Sequence, residues 1–177
     1  MSRFTDPQFR LQFDRLKQKR SIAQNRQEFW WLVARVQELN PKRILEIGTE
    51  RGGTLFFWQQ IVGEEGLVVS VDLCLVERRV EYPDLPQPIF IKGDSHDRET
   101  VLKVGEFAPF DFVFIDADHS HEGVVQDHDN YRPMIRPRGL MGFHDTGKHG
   151  AVEDTFKKLP GNKRTIYHTI GIGVIQL

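Results

Sequence analysis

The sequence is poor in the features that mark secreted, membrane-bound and strongly charged proteins. It has one cysteine, Cys74, which rules out an internal disulfide and fits a reducing cytoplasm. No apolar run approaches the roughly 20 residues of a membrane-spanning helix, and Met1–Arg10 lacks the apolar core of a signal peptide. The formal net charge of −1 argues against strong attraction to nucleic acid or membranes. We therefore expect a cytoplasmic protein with Cys74 as a half-buried structural thiol.

What the sequence does contain is a strand, a glycine loop and a helix in succession, beginning with ILEIGTERGG. Ile44–Ile47 is an apolar run typical of a strand buried on both faces, although Glu46 within it needs a partner to offset the cost of burial. Gly48 and Gly52 allow a ligand to approach the backbone. Thr54–Val62 predicts a helix whose N-terminus offers free N–H groups. This succession is typical of the first half of a nucleotide-binding βαβ unit.

The alternation of strands and helices continues along the 177 residues. It predicts one α/β globular unit: a Rossmann-like, doubly wound, mostly parallel seven-stranded sheet with helices on both faces and an antiparallel C-terminal strand. The last two strands are predicted to be joined by a tight turn. The further strands are Leu67–Leu73, Pro88–Lys92, Pro109–Asp116, Gly139–Phe143, Thr165–Thr169 and Gly171–Gln176, and the helices are Asp97–Val104, Glu122–Ile135 and Val152–Leu159.

Two more helices are predicted before the first strand. The second covers Ile22–Leu39, with Ser21 as its cap. We interpret residues 1–40 as a lid or an oligomer contact and residues 41–177 as the main domain.

Five of the predicted strands end in a glycine or a polar group, at the edge where ligands bind in open parallel sheets. An acid such as Asp72, about two dozen residues after Gly48, can accept hydrogen bonds from both ribose hydroxyls. The loop reads E-x-G-x-x-x-G-G instead of G-x-G-x-x-G, which argues against a dinucleotide. The strand-end groups are Gly48, Asp72, Gly93–Ser95, Asp116 and the pair His144–Asp145.

Together, ILEIGTERGG, VVSVDL, KGDS, FIDADHSHEG and GLMGFHD resemble the class I S-adenosylmethionine-dependent methyltransferases. From about Gln24 to Leu177 the chain is similar to their metal-dependent O-methyltransferase branch, near the cephalosporin-hydroxylase-like and macrolide-sugar methyltransferase group. The resemblance implies that residues 41–177 form a methyltransferase domain. It implies O-methylation of a small-molecule hydroxyl, with S-adenosylmethionine and a divalent metal, Mg or Mn, as cofactors. The net charge of −1 predicts no nucleic-acid or membrane partner, and a homo-oligomer stays open.

The resemblance also implies roles for particular residues. His119 falls where some relatives place a general base, and His144 where many carry a second acidic metal ligand. Imidazole at that position shifts the preference towards Mn²⁺, Fe²⁺ or Zn²⁺. The implied metal ligands are Asp116, His144 and Asp145. The implied cofactor contacts are Glu46, Gly48, Thr49, Gly52, Asp72, Asp94, Ser95 and Asp116.

Other interpretations stay open at this stage. The chain could be a non-catalytic nucleoside- or cofactor-binding protein, or a dinucleotide-dependent oxidoreductase. His119 could cap the helix that begins near Ser120 instead of acting as a base. Gln24 and Gln27 could reach a ligand, although base rates for polar side chains favour the surface.

Overall fold

The computed structural model describes residues 7–19, 22–74, 87–147 and 150–177. None of the helices in these ranges combines the length and the hydrophobicity that a membrane crossing requires. The strands are β1 Arg43–Ile47, β2 Leu67–Asp72, β3 Ile89–Lys92, β4 Phe110–Ile115, β5 Ile135–His144, β6 Asn162–Ile166 and β7 Ile172–Gln176. The α-helices are α1 Pro7–Gln18, α2 Arg26–Glu38, α3 Gly53–Val62, α4 Arg98–Gly105, α5 His121–Tyr131 and α6 Ala151–Lys158, and Arg132–Met134 is a 3₁₀ turn.

The seven strands form one sheet in the order β3-β2-β1-β4-β5-β7-β6. Strands β1 to β5 pair in parallel, whereas β7 runs antiparallel to both of its neighbours, β5 and β6. The order of the strands reverses between β1 and β4. Because the flanking loops part at such a point, it opens a crevice at the carboxyl ends of the strands. The fold predicted from the sequence is confirmed.

Alternating side chains of the strands supply two separate cores. On β1, Ile44 belongs to a cluster with the apolar faces of α1, α2 and α3. Leu45 and Ile47, on the other face, join a cluster with α4, α5 and α6. Aromatic rings dominate the first cluster, where Phe29 meets Phe57 edge-on at 5.1 Å between centroids. The predicted arrangement of helices on both faces follows from this alternation.

Several boundaries differ from the prediction. Helix α2 begins at Arg26, four residues late, because the Asn25 side chain accepts hydrogen bonds from the N–H groups of residues 27 and 28 and caps it. The predicted cap, Ser21, lies outside the described residues. Helix α5 ends at Tyr131, and β5 begins early, at Ile135, where it pairs with Phe110.

Two further expectations are wrong. A five-residue segment, 167–171, joins β6 to β7 in place of the predicted tight turn. Cys74 is exposed, because β2 already ends at Asp72.

Candidate active site

The glycine loop begins where β1 meets the end of β4. Gly48 has a φ of +89°, and a Cβ there would lie 2.0 Å from the carbonyl oxygen of Asp116. The N–H of Gly48 donates to Val71 O at 2.9 Å, and that of Asp116 donates to Ile47 O at 2.8 Å. Only glycine lets these backbones come so close. Gly52, with a φ of +75°, then precedes the first turn of α3.

Asp72 holds this loop in place. Its Oδ2 accepts hydrogen bonds from the N–H groups of Thr49 and Glu50 at 2.8 and 2.9 Å. Its Oδ1 accepts from the N–H of Cys74 at 2.8 Å. The carboxylate therefore fixes the glycine loop and the exit of β2 before any ligand arrives. The sequence did not indicate this anchoring role.

A cavity of about 520 Å³ lies over the ends of β1, β2 and β3. Its lining combines apolar side chains, among them Ile47, Val71 and Leu73, with the polar segment 94–96. Helix α5 holds this segment, because the Tyr131 hydroxyl donates to Ser95 O at 2.8 Å. The cavity brings together the residues predicted to contact the ribose and the adenine, Asp72, Asp94 and Ser95, and it also reaches Gly48.

A buried acid lies behind that segment. His96 Nε2 is 3.3 Å from Asp127 Oδ1, and the Asp127 side chain is completely buried. Burial raises the pKa of Asp127 to about 6. The sequence gives no sign that Asp127 is buried, because a single acid on a helix resembles a surface residue.

A second cavity, of about 330 Å³, adjoins the first over β1, β4 and β5. Both cavities include Gly48, Glu50, Asp116 and Ala117 in their linings. The other lining residues of the second cavity are Ile22, Ala23, Gln24, Glu46, Thr49, Gly53, Thr54, His119, His144, Asp145 and Ile170.

Three predicted metal ligands meet in the second cavity. One ligand atom from each of Asp116, His144 and Asp145 lies within 4.8 Å of the other two. His144 Nδ1 is 3.2 Å from Asp116 Oδ1 and 2.9 Å from Asp145 Oδ2. His119 Nε2 approaches the same two oxygens at 3.5 and 3.4 Å. Two carboxylates and an imidazole form a donor set that suits a borderline divalent cation.

The charges in this cluster depend on one another. Burial alone would raise the pKa of Asp116, but hydrogen bonds from His119 and His144 outweigh it and lower the pKa to about 2. Burial alone would lower the pKa of His144, but its bonds to Asp116 and Asp145 raise it to about 10. The bond to Asp116 also raises the pKa of His119. A cation bound here would take the place of the proton on His144.

Glu46 is buried beneath the glycine loop. The Thr54 hydroxyl donates to its Oε1 at 2.6 Å, and the indole N–H of Trp58 donates to its Oε2. Burial outweighs these bonds and raises the pKa of Glu46 to about 8. The partner that the sequence required for Glu46 is therefore α3, and the glutamate ties β1 to that helix.

Two residues near the start of α2 contribute to the second cavity, one in its lining and one by holding the segment that contains Ile170. Gln24 is 4% exposed, and its Nε2 donates to Asp116 Oδ2 at 2.7 Å. Its Oε1 is buried and has no partner. Gln27 is exposed, so the surface interpretation holds for one glutamine and fails for the other.

Glu28 is the second of these residues. Its Oε1 accepts hydrogen bonds from the four N–H groups of residues 168–171, at distances of 2.7 to 3.2 Å. Glu28 is an acid on the apolar side of a helix, just as Glu46 is an acid in an apolar strand. That unusual position was the sequence signal for Glu28.

The N-terminal cap of α5 decides whether His119 has a capping role. The Ser120 hydroxyl accepts a hydrogen bond from the N–H of Gly123 at 3.0 Å, and Asp118 accepts from the N–H of Ser120 at 2.8 Å. Ser120 is thus the cap, and the alternative that His119 caps this helix is wrong.

Residues 45–146 match a family described as "Methyltransferase domain". The chain belongs to this family. Among curated relatives, this methyltransferase domain is 32% identical over 114 residues to a ribosomal RNA large subunit methyltransferase E from Syntrophobacter fumaroxidans. That match covers 63% of this chain and 56% of the relative, so the chain spans little more than half of that relative's length.

Solved structures share the fold of this methyltransferase domain. An O-methyltransferase from Bacillus cereus, in complex with SAH, has a TM-score of 0.68 at 14% identity and matches 94% of this chain and 90% of its own. The MycE methyltransferase of the mycinamycin pathway, in complex with Mg, SAH and mycinamycin VI, has a TM-score of 0.63 at 19% identity. That match covers 82% of this chain and 48% of MycE. The family predicted from the sequence is confirmed.

Proposed function

We propose that this methyltransferase domain transfers a methyl group from S-adenosylmethionine to a hydroxyl oxygen of a small molecule, with the help of a divalent cation. The observation that carries the proposal is the meeting of two cavities at Asp116. One has the lining expected for an adenosine, and the other holds a cluster of cation-binding side chains.

The fit of the cofactor rests on the residues that line the two adjoining cavities. Adenosine would lie in the first cavity, with its ribose near Asp72 and its base near Asp94 and Ser95. The amino-acid end would pass Gly48, which lines both cavities. Glu46, Thr49 and Gly52 support this part of the site. The sulfonium methyl would then face the second cavity.

The fit of the metal rests on the donor set. Asp116, His144 and Asp145 would hold the cation, and Gln24 keeps Asp116 oriented through its amide. A cation bound there would supply a Lewis acid that lowers the pKa of a hydroxyl beside it. The Mg in the MycE complex supports this assignment.

His119 is proposed as the general base. It lies at the mouth of the cluster with 53% of its side chain exposed, within 3.5 Å of carboxylate oxygens of Asp116 and Asp145. Neutral Nε2 can take the proton of the acceptor hydroxyl and release it to solvent. The remaining contribution of the chain is to hold the acceptor oxygen in line with the methyl group.

A small acceptor is favoured over a nucleic acid by the shape of the second cavity. It is concave, and residues 22–24 cover it, which supports the interpretation of residues 1–40 as a lid. Its volume of about 330 Å³ falls within the range of small-molecule sites. One relative carries the name of a ribosomal RNA methyltransferase, so RNA is the alternative acceptor to test. A homo-oligomer and a cytoplasmic location stay predictions.

Calorimetry with S-adenosylhomocysteine tests the cofactor site. We expect micromolar binding by the full chain, weakened at least tenfold in Asp72→Ala, because charge-assisted hydrogen bonds to the ribose are lost. Asp145→Asn should weaken Mn²⁺ binding and leave cofactor affinity nearly unchanged. The exposed Asp154→Asn is the control for both. Absence of binding by the wild type would contradict the proposed cofactor. Unchanged affinity in Asp72→Ala would contradict the assignment of Asp72 to the ribose.

A transfer assay with labelled cofactor tests the chemistry. Label should enter a small-molecule metabolite fraction, dependent on a divalent cation, and should not enter total RNA. His119→Ala should lower kcat by about 10²–10⁴ and remove the acidic limb of the pH profile, with cofactor affinity unchanged. Full activity in this variant would exclude His119 as the base, and label in RNA would exclude the small acceptor.

A further inference from the structure

A cavity of about 470 Å³ lies at the opposite end of β5 and β7 from the cation cluster. It includes Leu140 and Gln176, which pair with each other, whereas His144 pairs with Ile172 at the other end of the same two strands. Four residues of strand separate the two ends, or roughly 13 Å. This cavity shares no lining residue with either cavity of the proposed methyl-transfer site.

Positive charge dominates its lining. Arg35 comes from α2, Arg138 from β5 and Arg164 from β6, and Glu38 is the single acid among the lining residues. Within the described part of the chain, none of these three arginines lies within salt-bridge distance of a carboxylate. By contrast, Arg26 pairs with Asp14 and Arg136 with Asp111. Three uncompensated guanidinium groups are unusual around one cavity in a chain whose net charge is −1.

Arg35 is held in position before any ligand binds. Its guanidinium carbon lies 4.0 Å from the centroid of the Trp31 ring, and its Nη1 donates to Trp31 O at 3.2 Å. Its Nε is buried without a hydrogen-bond partner. A guanidinium fixed by stacking loses little further freedom when it binds an anion.

Arg138 is also constrained. Its φ is +64°, a conformation that costs a non-glycine residue energy and recurs at ligand sites. Its N–H donates to Leu177 O at 2.9 Å, and its carbonyl accepts from Gln176 Nε2 at 2.7 Å. Two hydrogen bonds, one at its N–H and one at its carbonyl, therefore hold the backbone of Arg138 in place.

The remaining lining is apolar or neutral. Leu39, Leu140 and Val174 contribute aliphatic side chains, and Asn162 and Gln176 contribute amides. The volume lies within the range of small-molecule sites and exceeds what one inorganic ion fills. Guanidinium groups favour phosphate oxygens, which they bind through paired N–H donors. We propose that this cavity is a binding site for a small phosphorylated molecule with an apolar body, independent of methyl transfer.

Calorimetry on the full chain with phenyl phosphate as the probe tests the site. Phenyl phosphate should bind more tightly than inorganic phosphate, which lacks the apolar body, and more tightly than benzoate, which lacks the phosphate. Its affinity should fall as salt is added. Arg138→Gln and Arg164→Gln should each lower it about three- to tenfold. Neither variant should change the affinity for S-adenosylhomocysteine.

Arg98→Gln and Arg132→Gln are the matched controls, because both residues are exposed on the other helical layer. The proposal is overturned if the wild type shows no saturable binding of phenyl phosphate, or if the control variants lose as much affinity as the cavity variants. Equal affinity for benzoate would overturn the phosphate assignment. A single-stranded oligoribonucleotide that binds more tightly, and that loses affinity in the same two variants, would overturn the small-molecule assignment.

Discussion

Glu28 and Glu46 are both buried, at 0% and 1% exposure, yet the pKa of Glu28 is lowered and that of Glu46 is raised. Burial would raise the pKa of Glu28, but four backbone N–H groups outweigh it and lower the pKa from 4.5. Burial raises the pKa of Glu46 to about 8, because its hydrogen bonds from one hydroxyl and one indole N–H do not outweigh burial and the charges of Asp116 and Asp72 add to the rise. The donors around a carboxylate, and not its depth, decide whether it stays charged.

The two glutamates also hold different parts of the second cavity. Glu28 anchors the 168–171 segment, in which Ile170 lines the cavity. Glu46 ties β1 to α3 beneath the glycine loop. At neutral pH, the carboxyl group of Glu28 is charged and that of Glu46 is neutral.

Replacing Glu28 by alanine should have the largest effect. It leaves four N–H groups without their charged acceptor, at a cost of roughly 3–6 kcal/mol in the free energy of unfolding. Urea unfolding of the variant measures this loss, and Glu38→Ala, at an exposed position of the same helix, should change it little. Equal losses in the two variants would contradict the anchoring role.

The pH dependence of Glu28 has a defined sign. Because its folded-state pKa is lowered, its stabilisation is present above the unfolded value of 4.5 and is lost as the pH falls through the folded value. The difference in stability between the wild type and Glu28→Gln should therefore shrink below a pH of about 4.5.

Glu46→Gln should show the opposite pH dependence. A raised pKa gives stabilisation that is complete below the unfolded value of 4.5 and is lost as the pH rises through about 8. The wild type should therefore lose roughly 2–3 kcal/mol between pH 6 and pH 8 relative to the variant. Parallel urea titrations across this range measure the difference, with the exposed Glu106→Gln as control. Parallel curves for the wild type and Glu46→Gln would mean that Glu46 is already ionised.

Thr54→Val should have the smallest effect. It removes one of the two donors to Glu46, at a cost of about 1 kcal/mol at neutral pH. Because that bond lowers the pKa of Glu46, its loss should move the alkaline end of the stability profile to higher pH. Thr165→Val, exposed on β6, should not move it. A shift to lower pH would show that the hydroxyl is not the donor.

Local sequence patterns predicted the strands and helices and the edge of the sheet at which the site residues meet. The alternation of strands and helices after Ile44–Ile47 predicted a parallel sheet, and the carboxyl ends of parallel strands meet at one edge. This was enough to place Gly48, Asp116 and His144–Asp145 together at that edge. Local patterns could not reveal bonds between distant segments. Glu28 and residue 168 are 140 positions apart, and no periodicity connects them. The predicted start of α2 was wrong for a local reason, because Asn25 and Ser21 are equally good caps by composition.

The position of β7 has a consequence for synthesis of the chain. It lies between β5 and β6, although it follows both in sequence. While a ribosome is still producing residues 145–171, the strand that carries His144 has an unpaired edge, and β6 has no neighbour to join. An open apolar edge is a site for pairing with other nascent chains. Pairing of Ile172–Gln176 covers the open edge of β5 and gives β6 its partner, so that the edges of the complete sheet are β3 and β6.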